Sequence, residues 1–169
     1  MADYDVIIAG GGLAGSISAQ SISYYSNQNL KILVIDRSPE YLPGRKSIAG
    51  WVCGDACSKE AVDFMSERIK VNWTKPEIEH DVKGVMAFSP DKKTSIPFDG
   101  DGFMLNRTKL PEIQNERCRK IGIEFEFEMN ITGLIYDDQQ VVGVQGIDNK
   151  TKQPFKKTSK IVVDATGVT

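Results

Sequence analysis

Residues 5–15 read DVIIAGGGLAG, and this stretch decides how the rest of the chain is interpreted. The run Asp5–Ala9 is apolar, rich in β-branched residues and stopped by three glycines, as a strand buried on both faces would be. Leu13 to Tyr25 then carries apolar and small residues at helical spacing, and KILVID (31–36) is a second apolar strand. Strand, helix and strand within about 32 residues predict a right-handed βαβ unit.

The glycines between the first strand and the helix match the pattern G-x-G-x-x-G. In this pattern Gly10 allows a tight turn, Gly12 lets the backbone approach a pyrophosphate, and Gly15 lets the helix lie against the strand. The free N–H groups and the dipole of the helix N-terminus both favour an anion at this point. The loop therefore predicts a dinucleotide site.

Asp36 ends the second strand, 21 residues after Gly15. An acidic residue at this place accepts hydrogen bonds from the adenosine ribose hydroxyls. NAD and FAD share this half of the site, but an NAD domain would continue with strands and helices in regular alternation. Here a long mixed segment with a three-stranded β-meander follows instead, which favours FAD.

The remaining chain predicts an α/β fold: a Rossmann-like FAD/NAD(P)-binding domain with a central parallel sheet, a β-meander and an inserted β-hairpin. Its expected elements are a loop over 37–54, a helix over 58–70, a hairpin of 82–88 with 94–98, a helix over 107–121, and β-segments from 123 onward. The strand 161–163 should return to the parallel sheet beside the first strand. The chain ends six residues later, where such a fold would normally continue, so we expect one incomplete domain over 1–169.

Composition narrows the class of protein. With 40% hydrophobic and 26% charged residues the chain is typical of globular domains. Its 21 basic and 23 acidic residues give no excess of positive charge that would favour binding to nucleic acid. The longest apolar stretch has about ten residues, well short of a membrane span. The acidic start MADYD does not resemble a secretory signal. We therefore expect a cytoplasmic protein.

Cysteine and histidine give little evidence of further chemistry. Three cysteines at no disulfide-like spacing fit a reducing compartment, and with one histidine no metal site is expected. Cys57 and Cys118 are predicted to be core residues. His80 is placed in a loop without a catalytic role.

The chain resembles the geranylgeranyl reductase family, which belongs to the flavoprotein group that includes p-hydroxybenzoate hydroxylase. The resemblance extends over essentially the whole chain, and CGDA followed by SKE is its more specific part. The stretches that carry it are DVIIAGGGLAGS, ILVIDR, CGDACSKEAVDFM, GFMLNRTKLPEIQNERCRKIGIEF and IVVDATG.

The resemblance implies an FAD-dependent reductase of geranylgeranyl double bonds in membrane lipids or related precursors, with an archaeal lipid reductase as the nearer match. FAD would be reduced by an external donor, NAD(P)H or a ferredoxin-like protein, and would then deliver a hydride to the alkene. Any membrane contact of such an enzyme is expected to be peripheral.

The resemblance also assigns roles to individual residues. The pyrophosphate loop would comprise Gly10, Gly12, Leu13, Ala14 and Gly15, with Asp36 at the ribose and Arg37 near the adenine. Arg107 would supply charge to the phosphates, and Ala165, Thr166 and Gly167 match the second flavin motif. Cys53, Gly54 and Asp55 would lie near the flavin ring, with Cys53 as the candidate catalytic residue.

Two alternatives remain at this point. One is a flavin-binding module without turnover, completed by a partner chain, which exposed core surface around Val162 and Val163 would favour. The other is an NAD(P)-binding module in which Arg37 contacts a 2′-phosphate.

Overall fold

The computed structural model describes residues 2–40 and 55–167, which form two compact units. Unit 1 comprises residues 1–42 and 111–169, and unit 2 comprises residues 43–110. The elements in chain order are β1 (Tyr4–Ala9), α1 (Leu13–Tyr25), β2 (Ile32–Asp36), β3 (Ala56–Ser58), α2 (Lys59–Ile69), β4 (Ile78–Phe88), β5 (Ser95–Leu105), α3 (Leu110–Lys120), β6 (Glu124–Phe127), β7 (Met129–Asp137), β8 (Gln140–Asp148) and β9 (Pro154–Asp164).

Unit 1 is built on a six-stranded sheet of order β6-β2-β1-β9-β8-β7. The first four strands are parallel, as predicted for a Rossmann-like fold. β6 lies in the stretch from 123 onward that was predicted as β, but its place in the parallel sheet was not predicted. β7, β8 and β9 form the predicted antiparallel meander. The long strand β9 belongs to both parts, because Pro154–Thr158 pairs with β8 while Ser159–Asp164 pairs with β1.

Two apolar clusters cover the faces of this sheet. One joins β1 and β2 to the helices and includes Ile8, Ala19, Val34 and Cys118. The other lies on the opposite face, where the meander packs against the strands through residues such as Val144. The near-continuous burial of β1 and β2 explains their unbroken apolar sequences, since both faces of these strands are covered.

Helix α3 buries more polar surface than its sequence suggests. Its fully or nearly buried positions include two amides, Gln114 and Asn115, besides Leu110 and Cys118, whereas Ile113 is only half-buried. Gln114 Oε1 accepts a hydrogen bond of 2.8 Å from Nε2 of Gln20 on α1. A buried amide pair therefore links the two helices on this face of the sheet.

Unit 2 consists of a three-stranded sheet, ordered β3-β5-β4, and helix α2. Helix α2 begins where predicted, with Ser58 as its N-cap: Ser58 Oγ accepts a hydrogen bond of 3.2 Å from the Ala61 N–H. Val62 and Ile69 form the buried side of this helix. The predicted hairpin is present, but its strands are 11 residues each and so longer than expected.

Two expectations from the sequence are wrong. His80 lies in β4 and not in a loop, because the hairpin extends further back along the chain. Helix α3 begins at Leu110 and not at Arg107, since the Asn106 side chain accepts hydrogen bonds from the Thr108 and Lys109 N–H groups in a turn before it.

The surface around Val162 and Val163 bears on the alternative of a module completed by a partner chain. Both side chains are partly buried and pack against the two apolar clusters of unit 1, one on each face. Val162 and Val163 are therefore not exposed core residues, whereas the neighbouring Ile161 is 56% exposed.

Candidate functional site

The carboxyl ends of the parallel strands meet at one edge of unit 1, and the glycine loop starts there. The Gly10 N–H donates a hydrogen bond of 2.7 Å to the Ile35 carbonyl, and the Ala165 N–H donates one of 2.8 Å to the Ala9 carbonyl. Gly10 has a φ of +106°, and a Cβ on it would lie 2.3 Å from the Ala165 carbonyl oxygen. The two predicted motifs, 155 residues apart in the chain, are thus in backbone contact.

Gly15 allows helix α1 to approach this loop. A Cβ on Gly15 would lie 1.9 Å from the carbonyl oxygen of Gly10, far inside van der Waals contact. The obstructing atom belongs to the backbone and cannot rotate away. Glycine at this position is therefore a packing requirement, as the motif predicts.

Gly12 has a different environment although it belongs to the same motif. It is the N-cap of α1, with no side-chain hydrogen bond to cap the helix, and a Cβ on it would meet nothing within 4 Å. Leu13 and Ala14, which follow it, are exposed. The N-terminus of α1 is thus open to an anion, whose binding it favours through its N–H groups and dipole.

Asp36 is held at the end of β2 by two backbone groups. Its Oδ2 accepts a hydrogen bond of 2.7 Å from the Gly11 N–H, and its Oδ1 accepts one of 2.7 Å from the Ser38 N–H. This carboxylate fixes the glycine loop relative to β2, a role the sequence did not reveal. Each oxygen retains acceptor capacity, so the predicted contact with a ribose remains compatible with this geometry.

A cleft of about 270 Å³ lies beside the glycine loop in unit 1. It includes predicted residues together with the start of β7, which the sequence analysis missed. β6 ends at the same edge of the sheet, so a chain that continues from it necessarily lies beside the loop. The lining residues are Gly10, Ile35, Arg37, Met129, Asn130, Ile131 and Thr166.

The second predicted motif forms a turn after β9. Asp164 Oδ1 accepts hydrogen bonds from the Thr166 N–H at 2.9 Å and the Thr166 hydroxyl at 2.8 Å, and these bonds lower the pKa of Asp164. Gly167 has a φ of +76°, which favours glycine. Thr166 and Gly167 are exposed at the edge that carries the glycine loop.

Asp55 and Arg107 form an ion pair within unit 2, in which the Arg107 Nε–H donates to Asp55 Oδ1. The side chains are 23% and 34% exposed, so solvent screens the pair only partly. Asp55 also adopts a left-handed φ of +59°, and its carbonyl accepts a hydrogen bond of 2.9 Å from the Leu105 N–H. Two predicted site residues that are 52 positions apart thus contact each other, while Cys53 and Gly54 lie outside the described residues.

A double-mutant cycle tests this pair. For Asp55→Asn and Arg107→Met we expect a coupling free energy of about 1 kcal/mol, measured by urea unfolding of the single and double variants. Asparagine is chosen at position 55 because it tolerates the left-handed conformation of Asp55, so the substitution removes the charge without backbone strain. A coupling near zero would mean that water screens the pair completely.

The two described cysteines have no reactive character. Cys118 is fully buried in unit 1, where its thiol donates to the Ser16 carbonyl at 3.5 Å, and desolvation raises its pKa to about 12. The prediction of a core residue is confirmed for Cys118. Cys57 in β3 is half-buried, and burial raises its pKa as well.

Alkylation checks the state of Cys118. At about pH 8 we expect iodoacetamide to leave Cys118 unmodified in the folded protein and to modify it after denaturation, as followed by peptide mass spectrometry. The folded pKa exceeds that of an unfolded thiol, so the neutral form stabilises unit 1, and this contribution is lost as the pH rises toward 12. Modification of the native protein at the unfolded rate would contradict this assignment.

Comparison with known proteins identifies relatives of this chain. The digeranylgeranylglycerophospholipid reductase of Sulfolobus acidocaldarius is 33% identical over 165 residues, which are 97% of this chain and 34% of the relative. The chain is similar to the N-terminal part of this reductase. The corresponding protein of Methanocella arvoryzae is 30% identical, with 98% of this chain and 40% of the relative covered. The chain thus spans between a third and two fifths of these relatives, and no protein-family model matches it.

Solved structures agree with this relationship. A geranylgeranyl bacteriochlorophyll reductase-like protein from Thermoplasma acidophilum has a TM-score of 0.74 at 26% identity, covering 97% of this chain and 39% of that one. A variant of the halogenase PltM in complex with FAD has a TM-score of 0.64 at 20% identity, over 96% of this chain and 34% of that one, and shows the fold alone. Within residues 2–40 and 55–167, no helix is both long and apolar enough to cross a bilayer.

Proposed function

We propose that this chain is the FAD-binding part of a reductase of isoprenoid double bonds. The observation that carries the cofactor assignment is the open N-terminus of α1, whose N-cap Gly12 leaves space within 4 Å of its Cβ position. The FAD-bound halogenase variant has the same fold, and the reductases at 28–33% identity supply the reaction class.

The residues present fit such a dinucleotide. The pyrophosphate would lie at Gly10, Gly12, Leu13, Ala14 and Gly15, where the helix N-terminus attracts an anion. Asp36 would bind the ribose with its free acceptor capacity. The cleft of about 270 Å³ between Arg37 and the start of β7 is large enough for an adenine. Ala165, Thr166 and Gly167 would border the pyrophosphate from the other side of the loop.

The reductase role comes from the relatives. When bound, FAD supplies hydride chemistry that no side chain can perform, and the protein binds and orients it. We propose an isoprenoid lipid as the substrate and an external electron donor such as NAD(P)H or a ferredoxin-like protein. The protein is proposed to be cytoplasmic and to contact the membrane peripherally. Arg107 is proposed to act on the phosphates, and its bond to Asp55 would orient it. Cys53 and Gly54 are proposed to lie at the flavin ring.

A second candidate function is favoured by the small share of the relatives' length that the chain covers. A protein that spans 34% of the Sulfolobus reductase can be a flavin-binding module that needs further polypeptide for turnover. Both candidates require FAD, and they differ only in whether the chain alone reduces an alkene.

An absorbance spectrum tests the cofactor first. Purified chain is mixed with FAD and desalted, and we expect retained flavin bands near roughly 370 and 450 nm, shifted from those of free flavin. Retention of NADPH with no retention of FAD would instead support the NAD(P) module, with Arg37 at the 2′-phosphate. Failure to retain either dinucleotide would overturn the binding proposal.

Turnover is tested separately on the flavin-loaded chain. Dithionite-reduced protein is given a geranylgeranyl lipid in detergent, and saturation of double bonds is followed by mass spectrometry. Product formation would support the reductase, whereas bound flavin without product would support the module that needs a partner.

A further inference from the structure

The two residues that follow β2, Arg37 and Ser38, are held in place by the β-meander. The side-chain amide of Asn149 donates a hydrogen bond of 3.0 Å from Nδ2 to the Arg37 carbonyl, 112 positions away in the chain. The Glu128 N–H donates one of 2.9 Å to the Ser38 carbonyl. All four residues belong to unit 1, so contacts from a distant segment fix the backbone after β2.

The donor groups on the meander are themselves held in position. Glu128 joins β6 to β7 with a left-handed φ of +61°, and its carbonyl accepts a hydrogen bond of 2.7 Å from the Asn149 N–H. The turn after β8 is closed by Asp148, whose Oδ1 accepts from the Lys150 and Thr151 N–H groups at 2.7 and 3.1 Å. Asn149 therefore presents its amide from a fixed backbone, which lowers the conformational entropy lost in forming its contact.

The Asn149 amide serves the segment after β2 and not its own turn. An asparagine or aspartate in a turn commonly hydrogen-bonds the backbone two residues further on. Here Asp148 makes that bond, to the Lys150 N–H, while the Asn149 side chain donates outside the turn. Loss of the amide would therefore leave the turn closed and would release the Arg37 carbonyl.

The backbone that Asn149 holds also orients Asp36. The Ser38 N–H donates to Asp36 Oδ1 and the Gly11 N–H donates to Asp36 Oδ2, both at 2.7 Å. A carboxylate with one N–H on each oxygen has a single orientation, and the loss of either bond lets it rotate. A continuous series of contacts thus runs from Asn149 through Arg37 and Ser38 to the Asp36 carboxylate.

The same contacts shape the cleft of about 270 Å³ beside the glycine loop. Arg37 and Met129 both line this cleft. Each adjoins a residue of the network, because Met129 follows Glu128 and Arg37 precedes Ser38 in the chain. The proposed adenine position is therefore bordered by two segments that hydrogen bonds join to each other.

From these contacts we propose that Asn149 is a positioning residue for the adenosine end of the dinucleotide. Its amide does not touch the ligand, but it holds the Arg37 carbonyl and so keeps Asp36 in the orientation that accepts from the ribose 2′-hydroxyl. The inference rests on the proposed function, in which this edge of unit 1 binds FAD, and deepens it by naming a residue of the meander that sets ribose recognition.

The test compares two nucleotides that differ only in the hydroxyl concerned. Isothermal titration calorimetry gives the Kd of ADP and of 2′-deoxy-ADP for the 169-residue chain, and we expect ADP to bind at least about tenfold more tightly. In Asn149→Ala this preference is expected to fall at least about threefold. The two nucleotides carry the same charge, so their ratio is insensitive to the folded fraction and to general electrostatics.

A second variant at the same position isolates the donor. Asn149→Asp keeps the size of the side chain but cannot donate to the Arg37 carbonyl, and we expect it to lose the same share of the preference as Asn149→Ala. Its added negative charge weakens both nucleotides alike and cancels in the ratio. Full preference in Asn149→Asp would mean that the amide donor is not what acts.

Thr151→Ala is the matched control in the same turn. It removes the hydroxyl that accepts a hydrogen bond of 3.3 Å from the Gln153 N–H, a bond that stays within the turn. We expect its ADP preference to equal that of the unsubstituted chain. Thermal melting verifies that each variant folds.

A double-mutant cycle establishes the route of the effect. In an Asp36→Ala background the ribose contact is already lost, so adding Asn149→Ala should not change the ratio of the two Kd values further. Without any ligand, amide exchange at Ser38 and Gly11 should be at least about threefold faster in Asn149→Ala than in the unsubstituted chain, and unchanged in Thr151→Ala.

Several results would overturn the proposal: full ADP preference in the Asn149 variants, an equal loss in Thr151→Ala, or unchanged exchange at Ser38 and Gly11. A chain that retains FAD but binds neither nucleotide, or does not discriminate between them, would do so as well, since Asp36 would then not hold the ribose. Those results leave the cofactor assignment intact. Failure of the unsubstituted chain to bind both FAD and ADP would instead refute the cofactor assignment, and this inference with it.

Discussion

Gly15→Ala is expected to lower the free energy of unfolding by about 2 kcal/mol and to abolish FAD retention. The added methyl would lie 1.9 Å from the Gly10 carbonyl oxygen, so α1 must move away from the loop. Alanine is favoured over glycine in a helix by about 1 kcal/mol, but this gain cannot offset a clash with backbone. Urea unfolding measures the first effect, and absorbance after desalting measures the second.

Gly100→Ala is the matched control for this substitution. A Cβ on Gly100 meets nothing within 4 Å, and its backbone has no left-handed φ. We expect a change in unfolding free energy within about 0.5 kcal/mol and normal flavin retention. If Gly15→Ala behaved like Gly100→Ala, the close approach of α1 to the loop would be wrong.

Gly12→Val is expected to raise the Kd for FAD at least about tenfold while the protein remains folded. The backbone at Gly12 has a φ of −71° and a ψ of −170°, which valine adopts readily, and its Cβ position is open. The side chain would instead fill the space in which the pyrophosphate must approach the helix N-terminus. Flavin fluorescence titration and thermal melting measure the two quantities.

Substitutions of the two glycines are expected to change different properties of the protein. Gly15→Ala should impair folding and binding together, whereas Gly12→Val should impair binding alone. Unchanged affinity in folded Gly12→Val protein would move the dinucleotide away from this loop and would overturn the cofactor assignment.

The local sequence pattern predicted much of the fold. The boundaries of α1 were predicted to the residue, because the glycines that stop the apolar strand and the helical spacing that follows them mark its start. The parallel pairing of β9 with β1 followed from the apolar run at 161–163. The start of α3 was missed, since Asn106 ends the preceding turn with its own side chain and the apolar spacing does not report such a bond.

The site was predicted less completely than the fold. The motifs around Gly10 and Ala165 were identified by their own residues, but Asn130 and Ile131 have no motif and reach the cleft only through the path of the chain. Likewise, Asp36 was recognised as a ligand candidate, while its hydrogen bond to the Gly11 N–H became apparent only in the folded loop.

The sequence by itself determined the βαβ unit, the glycine loop and the likeness to the reductases, because these depend on residues that are neighbours in the chain or recur as motifs. Tertiary structure alone decided that Asp55 holds Arg107, that β7 lines the cleft, and that Val162 and Val163 are partly buried while the β4–β5 hairpin exposes large apolar side chains. Each of these depends on contacts between distant segments, where burial follows from which strands pair. Composition and periodicity record that a residue is apolar, and only the folded chain determines what covers it.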